Sequence, residues 1–301
     1  MSQHKPVGLI GLGRMGRPLA ERLLGAGHPL VVFDIVPAAA AGLGPEARVA
    51  GSPREVADAA EVVLTCLPTL DSNRDVVLGE DGVHGGRALR TLVCTGTIGV
   101  PLAVQIAGIL SAANVEFVDC PVTGGVPRAV IGDLTAIMAA SVDAAAAVDP
   151  LVRTFASRTV LVGENAGDAQ RVKLINNLLS ASNLALACEA MVLAEKSGLD
   201  LPRVLEVVNT GSGQNYATST KIPDYVIPRN FNRGGNLGGL LKDLQQASLE
   251  AEGWGVPMPL HAAVRAAYER AIEEGSPTDD STSVVKHMER AAGVRREAPG
   301  V

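Results

Sequence analysis

Aromatic residues are scarce in this chain, 3% of 301 positions with a single Trp, so a core of any size must be filled by its Ala, Val and Leu. There is no basic surplus either. Lys and Arg number 26 against 32 Asp and Glu, a net charge of -6, which argues against nucleic acid or an anionic membrane surface as a partner. The N-terminal MSQHKP lacks the apolar region of a secretion signal, and the most apolar stretch is interrupted by Asn176, Asn177 and Asn183. Neither a signal nor a membrane span is therefore read, and a cytoplasmic location is expected. The four cysteines, Cys66, Cys94, Cys120 and Cys188, have neither CxxC nor His-flanked spacing. They fit small buried thiols in a reducing compartment, and no metal is expected.

What the chain does have is alternation. With 47% hydrophobic residues and 33 Gly in 301 positions it is long enough for two domains and suits an α/β enzyme. Val7 to Ile10 reads as a strand that breaks into Gly11-Leu12-Gly13-Arg14-Met15-Gly16 and resumes as a helical pattern through Leu19, Leu23 and Leu24. In such a turn Gly11 permits the tight bend, Gly13 leaves room for a pyrophosphate against bare backbone, and Gly16 lets the helix pack closely on the strand. GxGxxG alone is a weak signal. Here a second strand, Leu30 to Phe33, ends in Asp34, about 20 residues beyond Gly11, where a carboxylate binds the diol of an adenosine ribose. The same carboxylate repels a 2′-phosphate, so NAD is favoured over NADP, with Arg54 left as an arginine able to rescue phosphate binding.

Ser52-Pro53-Arg54-Glu55 is a capping box, predicting a helix from there to about Ala60. Strands are predicted at Glu61 to Cys66, Leu92 to Cys94, Val115 to Asp119, Leu134 to Ala140 and Thr159 to Val162. Asp71 is expected to cap the helix after the first of these, and a helix from about Asp143 to Phe155 separates the last two. Strand ends deliver Leu67-Pro68-Thr69, Thr95-Gly96-Thr97 and Cys120-Pro-Val-Thr-Gly-Gly125. Each alone is an ordinary turn; recurring on the side of the glycine loop, they would line a shared crevice.

The alternation stops at Gly163. From there to Lys196 the chain reads as one long helix, uncharged between Lys173 and Glu189 and so expected to be buried round most of its circumference. Lys173, Asn177 and Ser180 fall at i, i+4 and i+7, one polar stripe on a rod of Val172, Ile175, Leu178, Leu179, Leu184 and Leu186. Such a stripe suits a helix lining a wet cleft; the bland alternative is that Lys173 snorkels to the surface. Beyond the stop signal Glu195-Lys-Ser-Gly198 the chain reads as all-helical, with Asp200 and Pro202 starting a helix to about Asn209. Residues 211–239 are the least regular, read as pocket wall or lid; Leu240 begins a further helix, Trp254 is expected to pack, and the end around Arg295, Arg296 and Pro299 to be loose.

Taken in order, GLGRMG, DCPVTGG, GENAGDAQRVKLINN and LLKDLQQA resemble the β-hydroxyacid dehydrogenase family, which includes 3-hydroxyisobutyrate dehydrogenase and tartronate semialdehyde reductase and is related to 6-phosphogluconate dehydrogenase. The resemblance implies an α/β Rossmann domain over residues 1–163 and an all-α domain over 164–301, joined by a long interdomain helix at about 167–197. It implies subunit contacts through the helical part, in a homodimer or homotetramer. The implied reaction moves a hydride between NAD(H) and a small 3-hydroxy acid or its semialdehyde. The family's catalytic lysine falls on Lys173 and its partner asparagine on Asn177; the substrate-binding hydroxyl and glycines fall on Thr123, Gly124 and Gly125. A second lysine near the nicotinamide falls on Lys242, and cofactor contacts fall on Gly11, Gly13, Gly16, Asp34, Leu67, Pro68 and Thr97, with Leu12, Arg14 and Met15 inside the glycine loop. A lysine desolvated in such a site can accept the hydroxyl proton as the hydride leaves.

Four positions depart from the family pattern: Thr123 and Gly96 where serine is usual, Arg128 where glycine is usual, and Gly235 in place of a phenylalanine. Arg128 beside an acid-binding loop opens a second reading, a reductase of a sulfonated or dicarboxylic semialdehyde, or of an imine, on the same scaffold. A third is a catalytically silent NAD-binding regulatory protein. Retention of Lys173 counts against both the imine and the silent readings, and Asn177 against the latter.

Overall fold

A computed structural model describes residues 4–294, so the stretch with Arg295, Arg296 and Pro299 lies outside the described residues. Strand β1 (Val7–Ile10) is buried at every position, the mark of a parallel strand covered on both faces. It pairs in parallel with β2 (Leu30–Phe33) and with β4 (Val62–Thr65), while β3 (Ala47–Val49) extends the sheet beyond β2. Strands β5 (Thr91–Cys94) and β6 (Glu116–Asp119) continue in parallel on the other side; β8 (Leu134–Ala139) then runs antiparallel to β6 and β7 (Val122–Thr123), and β9 (Ala156–Gly163) parallel to β8. The order β3-β2-β1-β4-β5-β6-β8-β7 places the change of winding direction between β1 and β4. Ligands of such sheets collect at the carboxyl ends there. Successive strand residues feed opposite cores, Leu9, Leu64 and Val93 on one face and Ile10, Val63 and Leu92 on the other, as a period of two requires.

Helices α1 (Gly16–Gly25), α2 (Pro53–Ala59), α3 (Leu70–Leu78), α4 (Val100–Ala112), α5 (Val126–Val130) and α6 (Val142–Val152) cover that sheet. Ser52 Oγ accepts from the Glu55 N–H, while Glu55 reaches back one residue further than expected, accepting from the Gly51 N–H. Asp71 does not cap α3. Thr69 does, in a reciprocal capping box with Ser72, which leaves Asp71 in the first turn beside the positive end of the helix. The sequence pattern predicts no strand or helix at the short β3, β7 and α5, because two to five residues carry too little periodicity to register. All four cysteines are free thiols. Burial pushes Cys66 up to about 11 and Cys94 up to about 12.

The chain divides into two compact units, one ending at Lys173 and the other beginning at Leu174, inside helix α7 (Asp168–Lys196). By length and composition alone α7 would cross a membrane. In the second unit it is instead the spine of a core in which Leu184, Ala185, Cys188, Met191 and Val192 meet Leu205, Leu244, Tyr268 and Val284. It is not buried round most of its circumference: Ile175 and Leu179 are 57% exposed, Leu186 66% and Leu193 69%. The absence of charge signalled an apolar surface, not a covered one. Trp254, expected to pack, is 71% exposed just after α9 (Leu237–Gly253).

The unit is completed by α8 (Leu201–Thr210), α10 (Pro259–Glu273), α11 (Val284–Ala291) and a π-helix, Ala217–Val226, within the stretch read as irregular. Its start is fixed by Asn215, whose Oδ1 accepts from the Ala217 and Thr218 N–H groups. A π-helix matches neither the helical nor the strand period, so the pattern hides it. Inside it Lys221, 3% exposed, donates to Ser180 Oγ at 2.8 Å and Ser180 O at 3.3 Å.

Burial, and then the Arg233 charge, lower the Lys221 amine from 10.5 to about 7. Between those values the unfolded chain holds a proton that the folded chain lacks, so this residue makes stability rise with pH from about 7 toward 10.5. Lys221→Met is expected to flatten that rise, read as the difference between urea midpoints at two pH values inside the window.

Candidate active site

The glycine loop is built by collision and by space. Gly11 sits at φ +93°, and a Cβ there would strike the Cys66 carbonyl; a Cβ on Gly16 would strike the Gly11 carbonyl. Gly13 between them has nothing within 4 Å. Bare backbone thus faces open space at the start of α1, with Gly13 and Arg14 exposed and Leu12 buried, which fits a pyrophosphate approaching a helix N-terminus. Asp34 braces this loop: its Oδ2 accepts from the Leu12 N–H at 2.6 Å and its Oδ1 from the Val36 N–H at 2.8 Å. Arg54 hydrogen-bonds the Gly85 carbonyl at 3.3 Å.

Neighbouring strand ends are held by buried side chains that the sequence did not single out. Asn73, 1% exposed on α3, donates to the Thr69 carbonyl at 2.7 Å and the Leu67 carbonyl at 3.4 Å, fixing the turn that carries Leu67 and Pro68. Thr97 is half-buried after β5. Thr123 ends β7, and Gly124 and Gly125 follow at φ +132° and +76°, a backbone that only glycine adopts without strain. Arg128, the departure beside this loop, gives its charge to Asp133, with Nε 2.9 Å from Oδ2. Bonds from Ser157 and then Arg128 hold the Asp133 carboxyl below the usual range.

Lys173 is 8% exposed, so it does not snorkel. One turn along α7, Asn177 Nδ2 donates to Asp243 Oδ2 at 2.6 Å and its Oδ1 accepts from Asn176 at 3.1 Å, which fixes which way the carboxamide points. Lys242 Nζ lies 3.2 Å from Asp243 Oδ1, off the hydrogen-bonding direction, a Coulombic contact. Ser180, the third member of the stripe, is the acceptor for Lys221. Asp243 and Lys221 escaped the sequence reading because a lone charge in a helix ordinarily marks a solvated face; Asp243 follows Lys242 directly, the one hint available.

A parallel sheet with an open glycine cradle at its switch point, followed by a helical unit and a buried lysine on the connecting helix, defines a dinucleotide-dependent oxidoreductase. Comparison with known proteins narrows the class. Residues 6–163 match the family profile described as the NAD binding domain of 6-phosphogluconate dehydrogenase, and residues 167–288 that described as NAD-binding of NADP-dependent 3-hydroxyisobutyrate dehydrogenase. The 2-(hydroxymethyl)glutarate dehydrogenase of Eubacterium barkeri is 30% identical over 297 residues, 98% of each chain. The 3-sulfolactaldehyde reductase of Escherichia coli K12 is 32% identical over 291 residues, 96% of this chain and 97% of that one. Among solved structures, 3-hydroxyisobutyrate dehydrogenase from Salmonella typhimurium superposes with a TM-score of 0.84 at 27% identity, over 94% of this chain and 99% of that one. The chain belongs to the β-hydroxyacid dehydrogenase family, enzymes that move a hydride between a nicotinamide dinucleotide and a 3-hydroxy acid.

The two outer glycines and the middle one are separable by experiment. Gly16→Ala is expected to lower both the melting temperature and NAD affinity, because the added Cβ meets the Gly11 backbone carbonyl, which cannot swing aside as a side chain could. Gly13→Ala should keep the melting temperature and weaken NAD alone, as read by calorimetric titration and thermal melts.

Proposed function

We propose that the enzyme interconverts a small 3-hydroxy acid and its semialdehyde with NAD(H), Lys173 being the group that takes and returns the hydroxyl proton. The observation that carries the proposal is the burial of that amine on α7, one helical turn before a carboxamide pinned by Asp243. Oxidation of an alcohol carbon requires the oxygen to lose its proton as the hydride departs, and an amine held out of water is suited to receive it. Asn177 orients the partners of that transfer. Thr123 Oγ1 and the N–H groups of Gly124 and Gly125 hold the substrate's acid group, and Lys242 adds a second cation to the reaction.

For the cofactor, the N–H groups of Leu12 to Gly16 hold the pyrophosphate, Asp34 the adenosine ribose, and Leu67, Pro68 and Thr97 the remainder. When bound, the nicotinamide ring supplies the hydride acceptor. The Asp34 carboxylate favours NAD over NADP, and the ion pair of Arg128 with Asp133 favours a substrate with one acid group over the doubly anionic alternatives.

Four unpaired thiols support a cytoplasmic location. The exposed Ile175, Leu179, Leu186 and Leu193, spaced by four, seven and seven residues along α7, support a homodimer or homotetramer.

Lys173→Ala should retain NAD binding and lose turnover by ~100-fold or more, the lower range for removal of a general acid/base. The assay is NADH formation with 3-hydroxyisobutyrate, 2-(hydroxymethyl)glutarate and sulfonated analogues, NAD and NADP in parallel; full turnover in the variant removes Lys173 from the reaction. For assembly, Leu186→Lys combined with Leu193→Lys should reduce the solution mass measured by light scattering. A wild-type protein that is already monomeric at all concentrations tested sinks the oligomer.

A further inference from the structure

The Asp119 and Gln170 side chains are both fully buried in the N-terminal unit, and neither is used by the proposed chemistry. Asp119 ends β6. Its Oδ2 accepts from the N–H groups of Gly167, at 3.0 Å, and Gln170, at 3.3 Å, the otherwise unpaired donors at the start of α7. Its Oδ1 accepts from Gln170 Nε2 at 2.6 Å. Gln170 then spans to the loop after β5: Nε2 also donates to the Gly96 carbonyl at 3.2 Å, and Oε1 accepts from the Ile98 and Gly99 N–H groups at 2.8 and 3.1 Å. The orientation of this carboxamide is dictated. Reversal would set its NH2 against two backbone N–H donors and its oxygen against a carboxylate and a carbonyl.

We propose that Asp119 and Gln170 are positioning residues, tying the Thr95-to-Gly99 loop to the helical turn that carries Lys173 so that the cofactor-contacting loop and the proton-transferring amine keep a fixed separation. The inference rests on the roles given above to Thr97 and Lys173. What it adds is a dependence of turnover on a hydrogen-bond polarity: Asp119 must accept on both oxygens for Gln170 to present its own oxygen to Ile98 and Gly99. A proton on Oδ1 turns an acceptor into a donor facing the Gln170 NH2 and opposes the whole arrangement. Burial pushes the Asp119 carboxyl up to about 6, with Gln170 and Gly167 pulling it back and Asp168 adding to the rise. The other titratable groups facing it are the Cys94 and Cys120 thiols, both held neutral by burial. Loss of positioning therefore falls on the acid side, below about 6.

The test uses the full-length enzyme and the most active substrate of the panel. Gln170→Ala is expected to keep its circular dichroism spectrum, to lose ~10- to 100-fold in kcat, the range for a displacement of order 1 Å, and to raise KM for NAD. Assayed in the direction of semialdehyde reduction, where Lys173 is needed in its protonated form and adds no acid limb of its own, wild type should show an acid limb of kcat near pH 6 that Gln170→Ala lacks, since the variant has no carboxamide left to displace. Asp119→Asn should lose activity to a similar degree. Combining Asp119→Asn with Gln170→Glu reverses the polarity of the shared bond, the new amide donating to the new carboxylate, which still accepts from Ile98 and Gly99 but gives up the bond to the Gly96 carbonyl, so the rescue is partial. That double variant should recover at least ~10-fold over Asp119→Asn, a non-additivity expected only of side chains in one network. Wild-type kcat, KM and acid limb in Gln170→Ala overturn the proposal even if Asp119→Asn does not fold, as does a double variant no better than the single one. A fully active Lys173→Ala would instead overturn the reading of the site. An inactive Lys173→Ala beside a wild-type Gln170→Ala overturns the positioning role alone.

Discussion

A helix that starts inside a protein brings with it N–H groups that water cannot reach, and each left unpaired costs about 1–3 kcal/mol. Helix α7 starts that way, and the N-terminal unit depends on how the problem is met. Asp119 is the answer from the end of β6, accepting from the helix start with one oxygen while the other anchors Gln170. A carboxylate is favoured beside a helix N-terminus, but out of water it is strained toward its protonated form, so its pKa rises despite three hydrogen bonds. The consequence is structural unity: the ends of β5 and β6 and the first turn of α7 are one hydrogen-bonded piece.

The glycine loop is arranged the opposite way, with open space kept between two close contacts. Gly11 and Gly16 are closed against backbone, and Gly13 is left open between them. Asp34 serves this loop before any ligand arrives, since its carboxylate already accepts from Leu12 and Val36. The residue proposed to read the adenosine ribose is thus also a brace of the loop proposed to hold the pyrophosphate.

In the C-terminal unit buried polar groups recur in pairs. Asn177 meets Asp243, Ser180 meets Lys221, and Arg229 meets Glu289 at 2.6 Å. Paired polar groups of this sort fix one packing among the many that an apolar core of similar volume would tolerate, because each alternative leaves a donor or an acceptor bare. Among the described residues no carboxylate lies within ion-pair range of Lys221, which is why burial dominates its titration.

Periodicity and punctuation carried much of this protein. The strand, glycine turn and helix at the N-terminus, the alternation up to Gly163, the long helix after it and the polar stripe at 173, 177 and 180 all follow from local patterns of two and 3.6 residues, and the family motifs then assigned roles along them. Local patterns failed where the signal was short or degenerate: the two-residue β7, the cap at Thr69, the π-helix at 217–226. They also misjudged which apolar residues are covered, leaving Trp254 and the outer face of α7 exposed. The sequence by itself determined the alternation up to Gly163, the glycine turn after the first strand and the position of the amine at 173. Only the tertiary structure decided which polar side chains answer one another, Asp119 to Gln170 across 51 residues and Asn177 to Asp243 across 66, because a hydrogen bond between distant positions leaves no periodic trace in either segment.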